Sequence, residues 1–210
     1  MTKTKSQLAV IEGKWEKRSN ISIKGLFDIL SDIYFDSPHS YIYEMFCDAA
    51  ALNNIIKQMG EDKQVRYIYV GCHGSLDSIS GSGGKVSKTQ LKNTLVRLSG
   101  NGSIIEGIFL GTCFFGQQEN AEFLLIPPKN NNPPIKWVAG YTESIDWIDS
   151  SVLDLLFWKK FFESSGTPVE RIRYAAQEIK RAASGLIEEL GFCIYVRKKG
   201  PGGGVKNLLA

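Results

Sequence analysis

The 210-residue sequence predicts an α/β fold, a mostly parallel sheet with helices on its faces. Three observations carry that prediction. Short apolar runs of strand length alternate along the chain with segments whose apolar residues recur every three to four positions. Two of the runs, "YIYVG" at 67–71 and "GIFLG" at 107–111, are apolar at nearly every position, as in central strands covered on both sides. No internal repeat or linker composition divides the chain, and its length lets a single domain bury a substantial core without disulfide or metal staples.

In chain order, the first strand is expected at Leu8–Lys14 and the first helix at Ile23–Tyr34. A strand follows at Tyr41–Phe46, then a helix at Ala49–Met59 and the first central strand at Val65–Gly71. The Ser- and Gly-rich stretch 75–87 reads as a loop, Lys88–Leu98 as a helix and Ile104–Gly111 as the second central strand. "PPKNNNPP" at 127–134 is a loop before a strand at Trp137–Tyr141 and a helix at Ser151–Glu163. The last helix, Val169–Leu190, carries its own boundary signals. Thr167 is placed as N-cap, Pro168 as first helical residue and Glu170 as the reciprocal capping-box partner, while Gly191 ends the helix. Its stripe of Ile172, Ala176, Ile179, Ala183, Leu186 and Leu190 must face the sheet. A last strand at Phe192–Val196 completes a domain of residues 1–199, and 200–210 reads as a flexible Gly-rich tail.

A formal charge of +3, with basic residues gathered no further than Lys159/Lys160, Arg171/Arg173 and 197–199, argues against a nucleic-acid partner. The N-terminus lacks the apolar stretch of a signal peptide, and no segment reaches the roughly 18 apolar residues of a membrane span. A cytoplasmic protein is therefore expected, and Cys47, Cys72, Cys113 and Cys193 are expected as free thiols. The absence of a C-x-x-C pair and the presence of only two histidines argue against a structural zinc site.

The chemistry concentrates where the two central strands end. "YIYVGCHGS" at 67–75 delivers His73 and "GIFLGTCFFG" at 107–116 delivers Cys113, both just beyond strand ends, where open α/β sheets place reactive groups. If these strands are parallel neighbours, the side chains converge although 40 residues separate them. An imidazole that accepts the thiol proton then makes the thiolate a nucleophile. Taken singly, a strand-end cysteine is a small buried hydrophobe and a loop histidine a surface group. Pairing beside Gly74, Gly111 and Thr112, small residues that let a substrate backbone approach, favours a site. The other three thiols are read as structural, with Cys72 pointing away from His73 towards the core.

These residues resemble the caspase-like cysteine peptidases, which include caspases, metacaspases, gingipains, separase and bacterial CHAT proteins. In that group a strand ends in His-Gly and the next ends in the nucleophilic cysteine, with the caspase histidine about 50 residues upstream. The resemblance implies a three-layer α/β/α sandwich and a cysteine endopeptidase needing no cofactor. It makes His73 the general base and acid, Cys113 the nucleophile, and the amides of Gly74 and Cys113 the oxyanion hole. It covers roughly residues 65–160 and points to short prokaryotic members, hence to a protein substrate, encoded by a neighbouring gene, in a bacterial defence or cell-death pathway. Gly111-Thr112 stands where caspases have Gln-Ala and metacaspases Asp-Ser, so neither acidic nor basic specificity carries over.

The resemblance also sets the stretch 137–151 at a substrate rim formed by strand addition. Glu143, Ser144, Asp146 and Trp147 become candidate substrate-binding residues, the carboxylates for a basic side chain and Trp147 for a wall. A competing reading makes Ser150 the cap of the following helix, with Asp146 and Asp149 at its positive end. Two other functions remain open: an inactive caspase-like interaction module, and a nucleotide-binding domain using "GSGGK" at 81–85. The latter lacks Walker spacing and does not open a helix directly after a strand.

Overall fold

Strand and helix order in the computed structural model follows the predicted alternation over residues 7–18, 21–34, 40–127, 135–198 and 203–210, the residues the structure describes. Five parallel strands, β1 (Leu8–Gly13), β2 (Tyr41–Phe46), β3 (Tyr67–Gly71), β7 (Gly107–Gly111) and β8 (Trp137–Tyr141), lie side by side. β9 (Phe192–Arg197) pairs antiparallel with β8, and β10 (Val205–Asn207) antiparallel with β9. The sheet order is β10-β9-β8-β7-β3-β1-β2, so β3 and β7 are central neighbours.

Side-chain alternation divides the core between the two faces of this sheet. Ile68, Val70, Ile108 and Leu110 point to one face, against α2 (Ala49–Glu61), α3 (Lys88–Gly100) and α4 (Gln118–Leu125). Tyr67, Tyr69 and Phe109 point to the other, against α1 (Lys24–Ile29), α5 (Trp147–Glu163) and α6 (Pro168–Leu190). This second layer is strongly aromatic: Phe109 packs its ring against Tyr69, Tyr141, Phe157 and Phe192 at centroid separations of 4.9–6.1 Å. The result is the three-layer sandwich with a mostly parallel sheet.

Several local expectations shift. α6 starts and stops as read, with the Thr167–Glu170 capping box and Gly191 in the left-handed region at φ 59°. α5 begins four residues early, because Asp146 and not Ser150 caps it: the Asp146 carboxylate accepts from the amides of Ile148 (2.7 Å) and Asp149 (3.3 Å). Ser150 instead donates its hydroxyl to the Asp146 carbonyl. The first helix divides into α1 and a π-turn at Leu30–Tyr34.

The loop expected at 75–87 is largely a second small sheet. β4 (His73–Gly74) pairs with β5 (Ser78–Gly81), which turns back into β6 (Gly84–Ser87). "GSGGK" is thus a hairpin turn, whose Gly83 amide donates to the Cys47 carbonyl at 2.9 Å, and not the mouth of a helix. Residues 203–210, expected in a flexible tail, supply β10, held at the edge by three register pairs with β9. Most of the 127–134 loop and the start of the tail at 200–202 fall outside the described residues.

Candidate active site

Because Gly71 of β3 pairs in register with Gly111 of β7, the residues two positions further on leave the sheet together. His73 and Cys113 both line one pocket of about 240 Å³ at this end of the sheet. Alternation sends the intervening Cys72 into the core, where it is 1 % exposed and burial pushes its thiol well above the ordinary range. Cys113 is half-buried and His73 exposed. Cys47 is exposed, so access alone does not separate the two thiols.

His73 rests on Trp15 just beyond the end of β1. The imidazole meets the indole edge-on at 5.1 Å, and its Nε2 lies 3.2 Å from the Trp15 carbonyl. A carbonyl only accepts, so Nε2 carries the proton and Nδ1 of the neutral ring is the available base. Trp15 is itself held, its indole nitrogen donating to Glu12 at 2.5 Å. Glu12 is fully buried and also accepts from the Ile23 amide, the Ser22 hydroxyl and Tyr43. One carboxylate therefore gathers both ends of the segment that supports the histidine.

The cysteine loop is fixed from two sides. Phe114 adopts φ 59°, an uncommon conformation for a residue with a side chain, and its amide donates to the Glu143 carbonyl at 3.1 Å. The Gly116 amide donates to the Tyr141 carbonyl at 2.7 Å. Asn120, 2 % exposed, donates to the carbonyls of Phe115 and Leu76, tying this loop to the one after His73. Gly74 lies flat on the cysteine peptide: a Cβ there would sit 2.8 Å from Thr112 Cβ, 3.0 Å from the Cys113 nitrogen and closer still to the Cys113 oxygen. Only glycine allows the two backbones to meet this way.

Of the candidate rim residues, Trp147 lines the pocket and packs against Trp15 with ring centroids 4.3 Å apart and the planes tilted by 58°. Glu143 and Ser144 are exposed and outside the pocket lining, and Asp146 is occupied as the α5 cap. The pocket instead contains Asp154, one helical turn beyond Ser150 on α5 and 3 % exposed, together with Tyr69. Sequence reading missed Asp154, Asn120, Glu12 and Trp15. Asp154 could have been flagged as a lone acid among "VLDLLFWKKFF", where helical periodicity places it on the apolar face. Among the described residues, no three His, Cys, Asp or Glu side chains gather as a metal ligand set.

No protein-family profile matches the chain, and no curated protein resembles it in sequence. Solved structures share its fold. A secreted C11 cysteine protease from Bacteroides thetaiotaomicron, determined with an irreversible peptide inhibitor, superposes with TM-score 0.57 at 9 % identity, over 91 % of this chain and 66 % of its own. The Arg-specific cysteine proteinase gingipain R gives 0.60 at 13 % identity, over 90 % of this chain and 45 % of its own. Caspase-1 from Spodoptera frugiperda gives 0.50 at 12 % identity, over 85 % and 79 %. The fold is caspase-like. The chain spans about two thirds and under half of the first two relatives, and identities this low establish the shared fold alone. No helix among the described residues is long and apolar enough to cross a membrane.

Proposed function

We propose that the protein is a cysteine endopeptidase acting on a protein substrate, with His73 and Cys113 as its catalytic dyad. The observation that carries this reading is the convergence of both side chains on one pocket from adjacent parallel strands, with Gly74 packed against the cysteine peptide. The cysteine protease neighbours of the same fold support it.

In the reaction, the Cys113 thiol gives its proton to Nδ1 of His73 and the sulfur attacks the scissile carbonyl carbon. The carbonyl electron pair moves to oxygen, where the amides of Gly74 and Cys113 donate to it. Collapse of the tetrahedral adduct breaks the C–N bond, His73 returns the proton to the leaving amine, and a thioester remains. Water, deprotonated by the same imidazole, then attacks the thioester, releasing the acid and restoring the thiol. The Trp15 carbonyl holds the ring in the tautomer these steps require.

The test is labelling by a peptidyl electrophile followed by peptide mapping, with turnover of a protein or peptide substrate measured in parallel. Label is expected on Cys113, which lines the pocket with His73, and not on the exposed Cys47, which does not line it. Cys113→Ala abolishes turnover, and His73→Ala lowers it by about 10²–10⁴-fold, the span for loss of a positioned general base. A folded Cys113→Ala protein that still cleaves would refute the assignment. Indifference of Cys113 to every peptidyl electrophile would favour the inactive interaction module.

A further inference from the structure

The pocket lining includes a buried carboxylate, Asp154, that the dyad does not use. Asp154 Oδ2 accepts from the Tyr69 hydroxyl at 2.6 Å, and Oδ1 accepts from the Tyr141 hydroxyl. Each oxygen keeps lone-pair capacity after these bonds. Among the described residues no lysine, arginine or histidine lies within ion-pair distance of Asp154. A buried carboxylate with two neutral donors and no cation is poorly compensated. Burial accordingly pushes its pKa up to about 7, against the lowering effect of the two tyrosines.

Trp15, Ile23, Ile145 and Trp147 give apolar wall to the pocket that this acid shares with the dyad. Gly111 belongs to the same design. A Cβ at this position would collide with the Tyr69 hydroxyl and stand 2.6 Å from its Cζ. The position two before the cysteine thus gives up its side chain to make room for the tyrosine that holds Asp154.

We propose that Asp154 is the specificity-determining residue of this site, receiving the cationic head of an arginine or lysine that precedes the scissile bond. The inference rests on the peptidase reading above. The apolar walls take the aliphatic stem of such a side chain, and the carboxylate takes its head. One accepting position left on each oxygen suits the two parallel donors of a guanidinium, so arginine is preferred over lysine. The selectivity is also gated by protonation. Titratable groups around Asp154 are Tyr69 from β3 and Tyr141 from β8 in direct contact, Cys72, His73 and Cys113 on the same pocket, and Glu12 of β1, whose charge acts on Tyr69. None of them is a fixed cation that would hold Asp154 ionised at low pH.

Two peptide substrates that differ only in arginine or norleucine before the scissile bond test this, with matching electrophiles that label the cysteine. The ratio of their kcat/KM values cancels the ionisation of the dyad and reports the free enzyme. The arginyl substrate is expected to win above pH 7, and the ratio to fall as pH drops through about 7, where Asp154 gains its proton. Asp154→Asn should lower the ratio by about 10- to 100-fold, the value of a charge-assisted hydrogen bond. A preference for norleucine or aspartate, with Cys113 labelled by those electrophiles, would overturn the inference and leave the peptidase reading standing. A pH-independent ratio in the unaltered protein would do the same, even if the Asn variant does not fold. Failure of every electrophile to label Cys113 would remove the peptidase reading, and this inference with it.

Discussion

Gly74→Ala is the sharpest perturbation of the cysteine loop, because its effect follows from one packing distance. The added methyl would stand 2.8 Å from Thr112 Cβ and 3.0 Å from the Cys113 nitrogen, with the Cys113 oxygen nearer still. Carbon atoms at rest are about 3.5–4.0 Å apart, so the two backbones must separate by roughly 1 Å. The obstacles are backbone and a buried Cβ, which cannot rotate out of the way. Overpacking of this kind costs about 1–3 kcal/mol of stability. A displacement of about 1 Å between reacting groups costs about 100-fold in rate. The assay is the second-order rate of Cys113 modification by a peptidyl electrophile, read beside urea unfolding. Gly185→Ala on α6, where a Cβ meets nothing within 4 Å, is the matched control and should stabilise by about 0.5–1 kcal/mol. Modification of the Gly74→Ala protein at the parental rate would show that contact between these strand ends does not set the geometry of the thiol.

Two further perturbations bear on the groups around the pocket. Glu12→Ala removes the shared acceptor of Trp15, Ser22, Ile23 and Tyr43, leaving several donors unsatisfied at about 1–3 kcal/mol each. A loss of about 2–5 kcal/mol in urea unfolding is expected, and a loss below 1 kcal/mol would mean that other contacts hold Trp15. Asp154 titrates near 7 folded and near 3.9 unfolded, so between these values the native state binds the extra proton and stability falls as pH rises. The penalty is absent below about pH 4 and complete above about pH 7, at about 4 kcal/mol. The stability of Asp154→Asn relative to the parent should therefore improve by up to about that amount from pH 4 to pH 8, and a difference independent of pH would contradict the assigned burial cost.

What the sequence by itself determined is everything encoded within one element or in the pairing of two. The apolar runs at 67–71 and 107–111 required a doubly covered sheet, because a strand without a polar face has no face to give to water. The boundaries of α6 were legible because Thr167, Pro168, Glu170 and Gly191 satisfy or terminate its backbone with local atoms. His73 and Cys113 were legible as candidates by their position at the ends of such runs. The tertiary structure alone decided what surrounds them. Asp154 meets Tyr69 across 85 residues and Tyr141 across 13, and His73 meets Trp15 across 58, contacts set by the packing of α5 against the sheet and the pairing of β1 with β3, and by no local period. It also chose between caps at the start of α5: both Asp146 and Ser150 have capping side chains, and the extended backbone at Asp146 settled which one serves. The charged rim read from 143–146 and the buried acid at 154 differ for the same reason. Composition shows how many carboxylates a segment carries, while burial, which only the assembled layers define, selects the one that lines the pocket with no counter-ion among the described residues.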